Sequence, residues 1–199
     1  MQIRKPLSNA CLILLLAAIL MSILALVPNN AYPHQLIPSL PSLSNPTQSK
    51  TCPPYCTIGS NGFSLIRTFE GFSPFTYSDV GGIPTIGFGH AIRTGERFIE
   101  PISGQQAQEL LERDTHAAVT TLSRLIKPST TQNQFDALTS FTYNVGVGTF
   151  MRSSVLRKHN DLDDAGASAA LLRYDHVGGK VVRGLTARRN LEAKLYLMD

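Results

Sequence analysis

The sequence predicts an α+β fold that is mostly helical, with one small β-hairpin sheet near the start of its globular part. Three observations carry this. Apolar residues recur at three- and four-residue spacing through most of the chain beyond residue 59. Residues 75–90 break that rhythm with β-formers punctuated by glycines and a proline. Capping signatures divide the downstream part into separate helices. A hairpin followed by five or six helices is an α+β pattern.

The elements follow in order. Phe63, Ile66 and Phe69 fall on one face of a short helix that Asn61 caps and Gly71 stops. Within 75–90, a three-residue loop at Gly81–Ile83 would pair Val80 with Pro84 and Asp79 with Thr85. Ser103 and Gln106 form a capping box, opening a helix with Ala107, Leu110, Leu111, Ala118, Leu122 and Leu125 that Pro128 ends. Thr131 and Gln134 form a second box, ahead of Phe135, Leu138 and Phe141. Further helices are expected at about 153–159, 163–174 and 187–197, the last capped by Thr186. Gly87-Phe88-Gly89 lacks the rest of any dinucleotide fingerprint, and there is no phosphate loop.

Everything before residue 59 is a different kind of polymer. The 199 residues include 18 Lys+Arg and 14 Asp+Glu, a net charge of +4, yet no acid precedes Glu70. From Glu70 onward the two signs balance. No nucleic-acid partner is expected, because that needs a basic patch on the folded domain itself. Residues 10–27 form an uncharged apolar run, at the lower end of the roughly 17–25 residues that span a bilayer. Arg4 and Lys5 precede it, which places the N-terminus in the cytoplasm and the rest beyond the inner membrane. Cleavage after Ala31 would put Asn29 at −3, where a small residue is wanted. Residues 1–28 therefore read as a signal-anchor in preference to a cleaved signal peptide, the two outcomes being a membrane-anchored protein facing the periplasm or a periplasmic or secreted one. Residues 29–58 are rich in Pro and Ser and read as a semi-extended linker. Cys52 and Cys56 frame a Pro-Pro-Tyr turn and are candidates for a local disulfide in an oxidising compartment. No metal site is expected there, since no His or second Cys pair is near. Cys11, within the apolar run, could attack that disulfide only if the run left the membrane. Residues 59–199 are left as the folded domain, expected to be a monomer without metal or organic cofactor.

The chemistry concentrates at the start of that domain. Glu70 lies in the last turn of the short helix, where the negative end of the helix dipole and flanking Phe69 and Phe72 disfavour a charged carboxylate, as suits a general acid. Asp79 and Thr85, if paired across the hairpin, would put a carboxylate and a hydroxyl side by side, able to hold one water. An acid and a water-activating carboxylate across a scissile bond are the parts of an inverting glycosidase.

The run Phe69-Glu70-Gly71-Phe72, Tyr77-Ser78-Asp79 and Gly82 to His90 resembles the phage-type lysozymes, glycoside hydrolase family 24, in their Glu, eight residues, Asp, five residues, Thr, then Ile-Gly-x-Gly-His. The similarity continues through Phe141 to Phe150, Ser153 to Leu156, and Gly178-Gly179-Lys180, Gly184-Leu185, Arg188-Arg189 and Glu192, covering about residues 59–197. It implies a two-lobed lysozyme-like fold and hydrolysis of the β-1,4 bond between N-acetylmuramic acid and N-acetylglucosamine in peptidoglycan glycan strands. It also implies Glu70 as proton donor, Asp79 as the base that orients water, Thr85 as its holder, and His90 as a structural residue that fixes the small lobe. Gly87 and Gly89 are expected to let sugar approach the backbone, with Phe141, Asn144 and Ser153 as cleft-wall candidates. Many relatives carry Trp where this chain has Tyr174, and the chain has no Trp. A catalytically inactive wall-binding module and a lytic transglycosylase, which needs only the acid, are the alternatives.

Overall fold

The computed structural model describes residues 56–198 apart from Val80 and Pro128. The expected anchor, most of the linker, Cys11 and Cys52 lie outside the described residues. Twelve elements follow one another: α1 (Ser60–Glu70), β1 (Ser73–Ser78), β2 (Pro84–Gly87), β3 (His90–Ala91), α2 (Gly104–Leu125), α3 (Gln132–Val145), α4 (Val147–Met151), α5 (Ser154–Asn160), α6 (Asp164–Leu171), β4 (His176–Val177), β5 (Lys180–Val181) and α7 (Arg183–Tyr196). Among the described residues no helix is long and apolar enough to cross a membrane.

Two hydrophobic cores make two lobes. The larger gathers Leu65, Leu122, Phe135, Leu138, Phe141, Phe150, Val155, Leu171 and Tyr196. The smaller gathers Ile86, Ile102, Ala107 and Leu110, with Phe88, Ile92 and Phe98 against it. Helix α2 joins them: its first turns give Ala107 and Leu110 to the small core and its end gives Leu122 to the large one. Its 22 residues run about 33 Å. Both capping boxes are present, Ser103 with Gln106 at α2 and Thr131 with Gln134 at α3. Helix α3 is buried from Gln134 through Thr142 without a break. Such a stretch has no solvent face, so a charged side chain on it needs partners inside.

Asp136 shows how that need is met. Asn61 does not cap α1; its side chain bonds Asn133, and the N-cap position is Gly59, which has no side chain to offer. The cap comes from α3 instead. Asp136 Oδ1 accepts from the Gly59 N–H at 2.7 Å and Oδ2 from the Gly62 N–H at 2.9 Å. Gln132 donates to the same carboxylate at 2.7 Å. A buried anion thus satisfies orphan donors at the positive end of α1. Burial pushes its carboxyl above the usual range, while the three N–H donors pull the other way.

Several expected boundaries move. The small sheet has three antiparallel strands in the order β1-β2-β3, one more than a hairpin, and β4 and β5 form a second hairpin. The β1–β2 register pairs Tyr77 with Thr85 and Ser78 with Pro84. The expected pairing of Asp79 with Thr85 is therefore two residues out, and Asp79 belongs to the turn. Helix α7 starts at Arg183 after the N-cap position Val182, so Thr186 lies inside it and bonds Asp175 at 2.9 Å instead of capping. The short helix α4 is an addition to the expected set. Tyr174, at the position where many relatives carry Trp, meets Phe141 edge-on at 4.9 Å and packs partly buried against the large core. Cys56 is disulfide-bonded, with its partner outside the described residues.

Candidate active site

Helix α1 ends on Glu70 because Gly71 closes it, returning its N–H to Arg67 O at 3.1 Å. That delivers the Glu70 carboxylate between the lobes. Its Oε1 accepts from Arg188 Nη1 at 2.8 Å, and the ion pair is largely shielded from solvent. On the small-lobe side, Oε2 lies beside Gly89, where a Cβ would come within 3.6 Å. Gly89 has φ 82, so a side chain there would be both strained and aimed at the acid. The desolvation expected from the flanking phenylalanines is different in kind. Phe69 stacks under Arg188, 5.4 Å from its guanidinium carbon, and Phe72 is exposed against Phe88. Arg188 is the neighbour that the local spacing around Glu70 does not reveal.

Asp79 is held by its own turn. Its N–H donates to Ile83 O at 2.9 Å, and its Oδ1 accepts from the Gly81 and Ile83 N–H groups, both at 2.8 Å. Its Oδ2 takes no hydrogen bond among the described residues. Thr85 is buried on β2 and donates its hydroxyl to Ile83 O at 3.0 Å. Ile83 thus ties the two side chains through its N–H and C=O, though they are not cross-strand partners. A donating Thr85 hydroxyl keeps its lone pairs for a further donor.

Two tyrosines complete the surroundings. Tyr77, paired with Thr85 on the sheet, has its phenol pushed up by burial and then by the charges of Glu70 and Asp79. Tyr143 on α3 is also pushed up, first by burial and next by Glu70, with Asp114 adding and Arg188 opposing. Neither residue stands out in the sequence. The alternation of Tyr77 with Phe75 on the strand is a signal that could find it, whereas Tyr143 emerges only from the fold.

The other expected residues divide. His90 is buried, with Nδ1 2.8 Å from Asp114 Oδ2 and Nε2 2.9 Å from Glu96 Oε2. Its pKa is raised by the hydrogen bond to Asp114, against burial and with help from Glu96. Glu96 is pulled down to about 2, first by the Arg93 N–H, against burial and then with His90. These bonds tie β3, the following loop and α2 together. Asn144 Oδ1 accepts from Arg189 Nη2 at 2.9 Å and so supports the buried arginine pair. Two of the cleft-wall candidates, Phe141 and Ser153, and the glycine expected to let sugar approach at Gly87 are buried instead. Phe141 is fully buried in the large core under Arg189. Ser153 is buried and caps α5, accepting from the Leu156 N–H at 3.1 Å. Gly87 is buried against α2, where a Cβ would meet that of Ala107 at 3.1 Å, so its lack of a side chain serves helix–sheet packing. Among the described residues no cluster could hold a metal ion.

The chain is similar to known proteins of one family. The phage lysozyme family matches residues 67–192. The endolysin of Bacillus phage PZA is 41% identical over 145 residues, covering 70% of this chain but only 54% of that protein, so the chain spans about half the length of that relative. A SAR-endolysin of Bacteriophage PS34 is 34% identical over 142 residues, covering 70% of this chain and 79% of that one. Among solved structures, an endolysin from Escherichia coli O157:H7 phage FAHEc1 superposes with a TM-score of 0.66 at 35% identity, covering 72% of this chain and 94% of the other. With two cores bridged by one long helix, a glutamate delivered between them, and this likeness over more than half its length, the chain belongs to the phage lysozyme family.

Proposed function

We propose that the protein is a muramidase that hydrolyses the β-1,4 bond between N-acetylmuramic acid and N-acetylglucosamine in peptidoglycan, with inversion at the anomeric carbon. The observation that carries this reading is Glu70, held between the lobes with one oxygen on Arg188 and the other beside the Gly89 backbone. Glu70 protonates the leaving glycosidic oxygen. The carboxylate left behind is stabilised at once by Arg188, a preformed charge where negative charge develops. A water bound between Asp79 Oδ2 and the Thr85 lone pairs attacks the sugar from the opposite face, and its proton passes to Asp79. Tyr77, exposed on β1 and paired with Thr85, offers an aromatic surface to a sugar ring.

The products separate this from the two alternatives. Digestion of purified peptidoglycan is expected to release reducing ends without anhydromuramic acid, and Asp79→Asn is expected to cut the rate by about 10²-fold or more. Anhydro products with Asp79→Asn fully active would make the enzyme a transglycosylase. Binding without any release of reducing ends would make it a wall-binding module.

For location, we read residues 1–28 as a membrane-inserting signal-anchor and 29–58 as a tether, a reading supported by the apolar run behind Arg4 and Lys5 and by the name of the PS34 relative. The folded part is near neutral, so it gains little electrostatic attraction to an anionic wall. A tether compensates by raising its local concentration at the substrate. Fractionation of a C-terminally tagged chain is expected to leave full-length protein in the membrane pellet. A shortened, wholly soluble product would replace the anchor with a cleaved signal peptide.

A further inference from the structure

Behind the Glu70–Arg188 pair lies a second set of charges that the mechanism above does not use. Arg188, Arg189 and Glu192 are all essentially inaccessible to solvent. Glu192 Oε1 accepts from Ser140 Oγ at 2.7 Å, from Arg189 Nη2 at 3.0 Å and from Arg188 Nε at 3.2 Å. Its Oε2 lies 2.8 Å from Arg189 Nε but off the hydrogen-bonding direction, so that contact is a charge contact. Arg188 also reaches the Ser140 carbonyl at 3.3 Å. One buried carboxylate is therefore shared by two adjacent buried guanidinium groups, and Glu70 is the second anion of the cluster.

With Glu70 ionised the two cations meet two anions. When Glu70 carries the proton it must donate, Arg188 is left with Glu192, which it shares with Arg189, and only Arg189 has the further, more remote charge of Asp175. The cost of protonating Glu70 therefore depends on how much of the Glu192 charge reaches Arg188 and how much Arg189 takes. The two arginines differ accordingly. Burial works against the charge of Arg188, yet Glu70 and Glu192 together lift its pKa above the usual value. Burial lowers Arg189 to about 10, with Glu192 resisting and Arg188 adding to the fall.

We infer that Glu192 and Arg189 are positioning residues that set, through Arg188, how firmly Glu70 keeps its proton, and so where on the pH scale the enzyme loses activity. The inference rests on the muramidase reading with Glu70 as acid. Glu70 is faced by Arg188 from α7, Tyr143 from α3 and Tyr77 from β1, with Asp79 beyond Tyr77. Glu192 is faced by Ser140 from α3 and by both arginines, with Asp175 beyond Arg189. Glu192 and Arg189 are the charged groups in direct contact with Arg188 or with its carboxylate partner from behind, and both are shielded from solvent, with Asp175 acting more remotely through Arg189.

The test is the pH profile of reducing-end release from purified peptidoglycan by the full-length chain. Glu192→Gln removes the shared anion, so Arg188 draws the Glu70 carboxylate more strongly. The alkaline limb is expected to move to lower pH by about one unit, a loss of about tenfold on that limb. Arg189→Gln frees Glu192 for Arg188, and the limb is expected to move to higher pH. In both, KM should stay within about twofold and the rate on the acid side of the limb should be kept. A merely structural role would lower the melting temperature and leave both limbs in place. Limbs that stay on the wild-type curve, or that move the same way in both variants, overturn the inference. If Glu192→Gln does not fold, the direction in Arg189→Gln decides. A wild-type chain that releases no reducing ends overturns the muramidase reading as well, whereas an active wild type with unmoved limbs overturns only this inference.

Discussion

Glu70→Gln is expected to lower reducing-end release from peptidoglycan by about 10³-fold or more while leaving the fold intact. The amide keeps an oxygen in the place of Oε1, so Arg188 Nη1 still has an acceptor at the 2.8 Å position. What is lost is the transferable proton and the developing carboxylate that Arg188 stabilises. Circular dichroism should match that of the wild type, and the thermal transition should stay cooperative, at a midpoint moved only by the loss of the Glu70 charge beside Arg188. Release within tenfold of wild type in the folded variant would remove Glu70 from the role of acid. The separation of fold from activity is possible here because α1 is held at its other end, by contacts that do not involve the carboxylate.

Those contacts set the second prediction. Asp136→Ala removes the acceptor for the Gly59 and Gly62 N–H groups and for Gln132. It leaves a cavity beside two helix-end donors and takes a negative charge away from the positive end of α1. The expected loss is about 3 kcal/mol, read as a lower urea midpoint at unchanged slope. Asp136→Asn should fall between, since an amide replaces one acceptor with a donor. A loss below about 1 kcal/mol would mean that water takes over the cap. Because α1 ends on Glu70, the Ala variant should also lose activity before it unfolds globally.

Much of the frame is legible in the sequence because it depends on neighbours along the chain. Ser103 with Gln106 and Thr131 with Gln134 are capping boxes three residues apart, and both form as expected. The stop at Gly71 puts Glu70 in the last turn of its helix. The hairpin register is not legible in the same way, because Asp79 has two competing uses. As a strand residue it would face Thr85, but its carboxylate folds onto the Gly81 and Ile83 N–H groups, so the loop takes Asp79 in and Tyr77 becomes the partner of Thr85. Motif alone puts Phe141 and Ser153 on the cleft wall and lets sugar approach the backbone at Gly87. Their burial follows from three separate packing demands: the centre of α3, the cap of α5 and the seat of α2 on the sheet.

Residues close in the chain account for the two capping boxes, the stop at Gly71, the change from an acid-free leader to a near-neutral domain, and the spacing of Glu70, Asp79 and Thr85. Each of these is a property of composition or of residues within one turn or one loop. Only the tertiary structure decided what surrounds the acid. Arg188 stands 118 residues from Glu70, and Asp136 stands 77 from the Gly59 that it caps. A charged group in water has little preference among distant partners. Inside the protein the cost of leaving it unpaired becomes large enough to select one. That selection exists only once α1, α3 and α7 are packed together, and spacing along the chain carries no trace of it.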